Sequence, residues 1–158
     1  MKAHVRFTAF LPLLWAAAVQ AQAPKVAGTY LVDFDSRVQM SGDGSIQVTG
    51  RSKARITLEL RGDSIFGTWH VIDDPTNRPP SPLRGTVQDG KIKLSAEPRE
   101  ATVNINGQEQ RRTITQDFLL TIAGDDISGT IESPAPMPGL AGISRKLEGK
   151  REAARSGP

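Results

Sequence analysis

Residues 54–61, ARITLELR, alternate without a slip: Ala54, Ile56, Leu58 and Leu60 fall on one side of an extended chain, and Arg55, Thr57, Glu59 and Arg61 on the other. A side-chain period of two belongs to a half-buried β-strand. The stretch then recurs. Laid on residues 118–131, ITLELRGDSIFGTW matches FLLTIAGDDISGTI at Leu58/Leu120, Gly62/Gly124, Asp63/Asp125, Ile65/Ile127, Gly67/Gly129 and Thr68/Thr130, an offset of 62 residues. Carried backwards, that offset places GTYLVDFDSR on GKIKLSAEPR; carried forwards, each copy runs into a proline-rich loop, DDPTNRPPSP and SPAPMPG. A chain built twice on one strand plan, with no long amphipathic helical pattern between, is an all-β domain.

Each copy reads as four strands: 27–40, 45–60, 64–73 and 83–88, then 91–105, 110–122, 126–132 and 143–149. The turns set the registers. Gly62-Asp63, Gly124-Asp125 and Asp89-Gly90 suit two-residue hairpins of the primed types, whose bend needs positive φ at glycine. Leu60 then faces Ile65 and Leu58 faces Gly67; Ile122 faces Ile127 and Leu120 faces Gly129; Val87 faces Ile92 and Gly85 faces Leu94. A leucine opposite a glycine on the apolar face lets a sheet coil tightly, as barrel closure requires. Eight strands with two edges to hide therefore predict a single antiparallel up-and-down β-barrel of about eight strands, made of two four-strand quasi-repeats. Pro98 cannot donate to a ladder and either splits the strand over 91–105 at a turn or kinks it, the kink being favoured because Asp35-Ser36-Arg37 occupies the matching place in the first copy.

The chain opens with Lys2 and Arg6, an apolar run FTAFLPLLWAAAV and small residues near Ala21, the pattern of a cleavable export signal. The expected organisation is a leader over 1–21, a barrel domain over 22–149 and a disordered tail over 150–158, in a periplasmic or secreted protein. No Cys is present, so disulfides, thiolate chemistry and a lipidated-cysteine anchor are excluded. No stretch outside the leader approaches the ~18 apolar residues of a membrane helix. The sequence pI of about 9.5 overstates the basicity. Removing Lys2 and Arg6 from the 20 basic residues leaves 18 against 17 acidic ones, too even a balance for a nucleic-acid surface. The local excess from Arg145 to Arg155 reads as a solvated terminus. An outer-membrane barrel shares the alternation, yet Tyr30, Phe34, Phe66, Trp69 and Phe118 are too few for two aromatic girdles.

The segments VAGTY, LELRGDSIFGTW, LRGTVQDGKIKLSA and LLTIAGDDISGTI resemble small exported bacterial β-barrel domains of lipocalin-like or calycin-like architecture. The resemblance spans nearly the whole chain after the leader and implies the fold; its motifs are turn chemistry. GTY and GTW are also similar to elements of avidin-type barrels, but the several pocket tryptophans of that family have no counterparts here, so biotin binding is not implied.

Catalytic parts are few. His70 is the one imidazole after the leader, beside Trp69 and near Asp73 and Asp74. With Ile65, Gly67, Trp69 and Val71 facing in, His70 faces out, and no motif brings a nucleophile to it. Asp125-Asp126 reads as turn residues, and no His or Cys cluster offers a metal site. The expectation is a protein that is not an enzyme and uses no cofactor or metal.

The inward face offers more. Following Ile122, Leu120 and Phe118 back along the strand brings Gln116, Ile114 and Arg112 to the same side, at the end rimmed by the proline-rich loops, with Trp69 and Val71 beside them. A buried arginine without a carboxylate is costly, and a bound anion relieves it. The expected ligand-binding residues are Trp69, Val71, Arg112, Gln116 and Phe118. The ligand is a small hydrophobic or amphipathic molecule whose acidic head meets Arg112 and whose tail lies along Ile56, Leu58 and Leu120. The alternative is a filled barrel that works as a protein–protein interaction module through its loops or outer face. A monomer is expected, with either a small-molecule ligand or a protein partner, and no nucleic acid or membrane anchor. Arg61-Gly62-Asp63 spells an adhesion tripeptide, but the second copy, AGDD, keeps the Gly-Asp and drops the arginine, as a turn requires and a message does not.

Overall fold

The computed structural model describes residues 25–40, 46–105, 108–134 and 142–153. The expected leader, most of the second proline-rich loop and the end of the expected tail lie outside the described residues. The strands are β1 (Gly28–Met40), β2 (Ile46–Arg61), β3 (Ser64–Val71), β4 (Ser81–Gln88), β5 (Lys91–Ala96), β6 (Arg99–Ile105), β7 (Gln108–Ile114), β8 (Asp117–Ala123), β9 (Asp126–Ser133) and β10 (Ile143–Arg151). Eight of them close into an antiparallel barrel in the order β1-β10-β9-β8-β5-β4-β3-β2, while β6 and β7 form a two-stranded sheet of their own.

The quasi-repeat holds in three dimensions. β2, β3 and β4 begin at Ile46, Ser64 and Ser81, and β7, β9 and β10 begin 62 residues later, at Gln108, Asp126 and Ile143. The expected registers are those observed: Leu58 pairs with Gly67, Leu94 with Gly85 and Leu120 with Gly129. The turns follow their chemistry. Asp89 and Gly90 both take positive φ (51° and 74°), whereas Gly62 (61°) and Gly124 (64°) take it at the first turn position ahead of an aspartate that does not. A Gly62→Val substitution should therefore cost about 1–2 kcal/mol in a urea unfolding series, because a β-branched residue resists the left-handed region. Arg61→Ala, on a side chain paired only with exposed Glu59 and lying over Phe66, should stay within about 0.5 kcal/mol of wild type. The reverse ranking would mean that Gly62 does not make the turn.

One expectation is corrected. The strands expected over 91–105 and 110–122 are each cut in two, at Glu97-Pro98 and at Thr115-Gln116. The last links of the barrel at that point are the Ala96 N–H to the Gln116 carbonyl (2.9 Å) and the Glu97 N–H to the Pro82 carbonyl (3.3 Å). Pro98 has no N–H to continue the ladder, so β6 leaves the barrel and takes β7 with it. The matching place in the first copy holds a β-bulge instead. Asp35 pairs with Arg51 and Arg37 with Gly50, leaving Ser36 as the extra residue.

Inside the barrel, the alternating apolar residues meet in one cluster that includes Tyr30, Val32, Ile56, Leu58, Ile65, Leu83, Leu94, Phe118, Leu120, Ile127 and Ile131. An eight-strand barrel is just wide enough for side chains to fill, and these do so. Leu60, expected on the inner face, is 47% exposed, because β2 ends at the rim one residue later. The outer face is charged. Lys53 pairs with Asp33 (3.2 Å), Arg51 with Glu148 (3.0 Å) and Arg55 with Glu152 (2.8 Å) across the seam where β2, β1 and β10 adjoin. A barrel with its apolar residues inside and ion pairs outside is the inverse of one built for lipid. No helix among the described residues is long and apolar enough to cross a membrane.

Candidate functional site

A cavity of about 280 Å³ opens at the barrel end bearing the loop after β3. Its floor is aromatic. The Trp69 ring stands edge-on to Phe34 (centroids 4.9 Å apart, planes at 73°) and leans on Phe118 (5.2 Å, 56°). The walls come from the three places where the strand plan breaks: Ser36 and Arg37 at the bulge, Arg99 just past Pro98, and Gln116 in the gap between β7 and β8. Val71, Asp73, Asp74, Arg78 and Ser81 close one side, and Arg145 of β10 another.

The mouth opens because two ladders stop there. Pairing of β1 with β10 ends at Phe34 and Leu147, and the next N–H, that of Lys146, is taken by the Asp35 carboxylate at 3.1 Å. Asp35, only 8% exposed, also faces the Arg51 guanidinium at 3.6 Å. Bulge, carboxylate cap and strand separation are thus one local device, and it turns Arg37 and Arg145 toward the opening.

The charges around the cavity are unequal in their pairing. Asp74 accepts hydrogen bonds from the Thr76 hydroxyl (2.6 Å), the Thr76 N–H (2.9 Å) and Arg78 Nε (2.6 Å). Those donors, the Thr76 hydroxyl first, hold its carboxyl down at about 2. Asp73 accepts the Lys53 N–H at 3.3 Å. Among the described residues, Arg99 and Arg145 have no carboxylate within 4.0 Å. Burial lowers the pKa of Arg145, and the neighbouring charge of Arg99 lowers it further against the pull of Asp35. Burial likewise lowers that of Arg99, with Arg78 adding repulsion against the pull of Asp74. The mouth therefore holds positive charge that its own carboxylates do not neutralise.

Of the residues expected at the site, Trp69, Val71 and Gln116 line the cavity and Phe118 lies beneath Trp69 in the core. Arg112 is elsewhere. It sits on β7 opposite Ala101, its guanidinium donating to Gln110 Oε1 at 3.2 Å, and it does not line the cavity. The register followed back from Phe118 does not survive the gap between β8 and β7. The tail path expected along Ile56, Leu58 and Leu120 is likewise occupied, since these side chains are buried in the core cluster.

Arg37, Arg99 and Arg145 were the missed residues, and each had a signal. Arg37 and Arg99 are one repeat apart and are an identity in the alignment of GTYLVDFDSR with GKIKLSAEPR. Arg145 lies two residues before inward Leu147, and period-two reading puts it inside, although by composition it belongs to the basic C-terminal stretch.

Fold and site together define a small closed antiparallel β-barrel with a packed interior and a polar, arginine-rich mouth. A solved structure of similar fold is the monomer form of the M. tuberculosis PknI sensor domain, with a TM-score of 0.50 and 13% sequence identity over 81% of this chain and 88% of that one. At that identity the likeness is one of fold. No protein-family model and no curated relative matches the sequence, so the lipocalin-like resemblance rests on the barrel itself.

Proposed function

We propose that this chain is an exported binding or sensing module that takes a small ligand at the barrel mouth and performs no chemistry on it. The observation that carries the reading is the Trp69-floored cavity on an otherwise filled barrel: the interior supports the fold, and the broken strand plan at one end supplies the site. The ligand is smaller and more polar than a cargo running down the barrel axis, because the apolar support of Phe34, Trp69, Val71, Pro75 and Pro79 is confined to the mouth and interleaved with charged residues. His70 alternates out of the barrel opposite Arg55, which supports binding over catalysis. The export signal at the start of the sequence supports a periplasmic or secreted location. The similarity in fold to a sensor domain is in keeping with this reading.

Trp69 is the one tryptophan of the chain after the leader, so its fluorescence reports on the mouth. Titration of the purified protein with a panel of small polar metabolites should change that emission saturably for at least one class, and Gln116→Leu should weaken the response. A panel that raises thermal stability while Trp69 stays silent would place binding elsewhere and overturn the assignment.

A second reading attaches to the β6–β7 hairpin, which pairs with no strand of the barrel and presents its own edges. Such edges accept an added strand from a protein partner. Deletion of residues 99–114 should abolish partner capture under this reading; it would also remove Arg99 from the mouth, so binding at the mouth is measured on the same variant.

A further inference from the structure

We infer that the mouth is a receptor for a tetrahedral dianion, the chemistry that phosphate and sulfate groups share, held by Arg37, Arg99 and Arg145. The inference rests on the mouth being the ligand site and adds the charge and shape of what it accepts.

Three observations converge on it. Arg37 and Arg99 are quasi-equivalent residues, each placed immediately after the break in its own copy of the strand plan, one after the Ser36 bulge and one after Pro98. The repeat thus delivers a guanidinium to the same opening from two sides, and Arg145 adds a third from β10. Arg37 is held over its partner strand by the close fit of its stem on Gly50, where a Cβ would stand 3.3 Å from Arg37 Cδ. The carboxylates of the mouth do not cancel these charges. Asp74 is paired with Arg78 and Asp35 with Arg51, while Asp73 accepts the neutral Lys53 N–H and keeps its charge, so Arg37, Arg99 and Arg145 still outnumber the one lining carboxylate without a cation among the described residues.

Arginines left beside one another without a carboxylate repel, and a guanidinium cannot shed its proton to escape. An anion removes the repulsion and accepts charge-assisted hydrogen bonds from each fork. Arg37, Arg99 and Arg145 come to the cavity from β1, β6 and β10, and a tetrahedral oxyanion offers oxygens to donors on several sides, where a single planar carboxylate does not. A dianion also answers more of the excess charge than a monoanion. Ser36, Ser52 and Ser81 at the cavity wall are neutral hydroxyls suited to the remaining oxygen contacts.

The test uses inorganic phosphate, sulfate, acetate and glycerol, added to the full chain without its leader at constant ionic strength, with Trp69 emission and Tm as readouts. Phosphate and sulfate should raise Tm and shift the emission at concentrations about tenfold or more below acetate, and glycerol should do neither. Arg145→Gln and Arg99→Gln should each weaken phosphate and sulfate binding about tenfold or more, while Arg112→Gln binds as wild type. Without anion, Arg145→Gln should melt no lower than wild type, because it relieves repulsion; this separates loss of a site from loss of the fold. If neutral ligands move Trp69 but phosphate and sulfate do not, the dianion is overturned and the mouth remains a ligand site. If phosphate raises Tm equally in both arginine variants and leaves Trp69 unchanged, the anion binds elsewhere and the dianion receptor is overturned; if no ligand of the panel moves Trp69 either, the mouth reading falls with it.

Discussion

Gly85→Ala should destabilise the protein by about 3 kcal/mol, at the upper end of what overpacking costs, out of a total of ~5–15 kcal/mol for a domain of this size. Gly85 sits opposite Leu94, and a Cβ there would lie 1.8 Å from the Lys93 carbonyl oxygen and 2.8 Å from Leu94 Cα. Both contacts are with backbone of the partner strand, so no side chain can rotate away. β4 and β5 would have to separate, and in a closed barrel a separation at one seam is passed to its neighbours. The same approach recurs at Gly67, where a Cβ would lie 2.2 Å from the Thr57 carbonyl oxygen, and at Gly149, 2.1 Å from that of Leu31. Gly124→Ala is the control. Its Cβ would meet nothing within 4 Å, and only its φ of 64° opposes alanine, at about 1 kcal/mol. Urea midpoints for the two variants decide the matter: Gly124→Ala proving the more harmful would show that strand crowding does not set the cost.

Arg151→Ala should be nearly as damaging, at about 2–3 kcal/mol, for a reason at the opposite end of the barrel. The Arg151 guanidinium lies 4.7 Å above the Tyr30 ring. It donates to the carbonyls of Ala27 and Lys25 and to the Tyr30 hydroxyl, and it pairs with Asp125 at 3.2 Å. Tyr30, fully buried, in turn donates to the Val26 carbonyl at 2.9 Å. One arginine thereby ties the chain ahead of β1, with buried Val26 as its plug, to the end of β10 and to the Gly124-Asp125 turn. Arg151→Lys should recover less than half of the loss, because an ammonium cannot serve carbonyls and a ring face with one planar fork.

Alkaline pH reports on the same latch. Burial raises the pKa of Tyr30, Arg151 opposes the rise and Asp125 adds to it. The folded state therefore holds the phenolic proton to higher pH than the unfolded chain, so stability is fully present below the unfolded phenol pKa near ~10 and falls as pH climbs through the folded value. Tyr30 is the only tyrosine, so tyrosinate absorbance follows this one group. Tyr30→Phe should flatten the decline in Tm above about pH 10. An unchanged decline would detach the alkaline transition from Tyr30.

How much of this was legible depended on the range of the interaction. Alternation and glycine-aspartate turns act over a few residues, and they place Leu58 on Gly67 and Leu120 on Gly129 without any knowledge of the rest of the chain. Of the candidate site, Trp69 and Val71 were legible from an unbroken strand, and Gln116 from the two-residue step that leads back from Phe118 to the residue just ahead of β8. Arg112 failed because its register was carried through a gap that local pattern does not reveal: period two continues through β7 and β8 even though the two belong to different sheets. Arginines are poorly placed by sequence in any case, since a long side chain carries its charge far from its Cα, and its partner is chosen by what the fold brings near.

By itself, then, the sequence determined an all-β chain with a duplicated plan, the hairpin registers and the leucine–glycine pairs that let the sheet coil, because these are properties of neighbouring residues and their turns. Only the tertiary structure decided that β6 and β7 leave the barrel, that the interior is filled, that Arg151 latches one end, and that Arg37, Arg99 and Arg145 line one cavity at the other. Those outcomes turn on which strands exhaust their hydrogen-bond partners on closure and which charges are left facing one another, and both are settled by residues far apart in the chain.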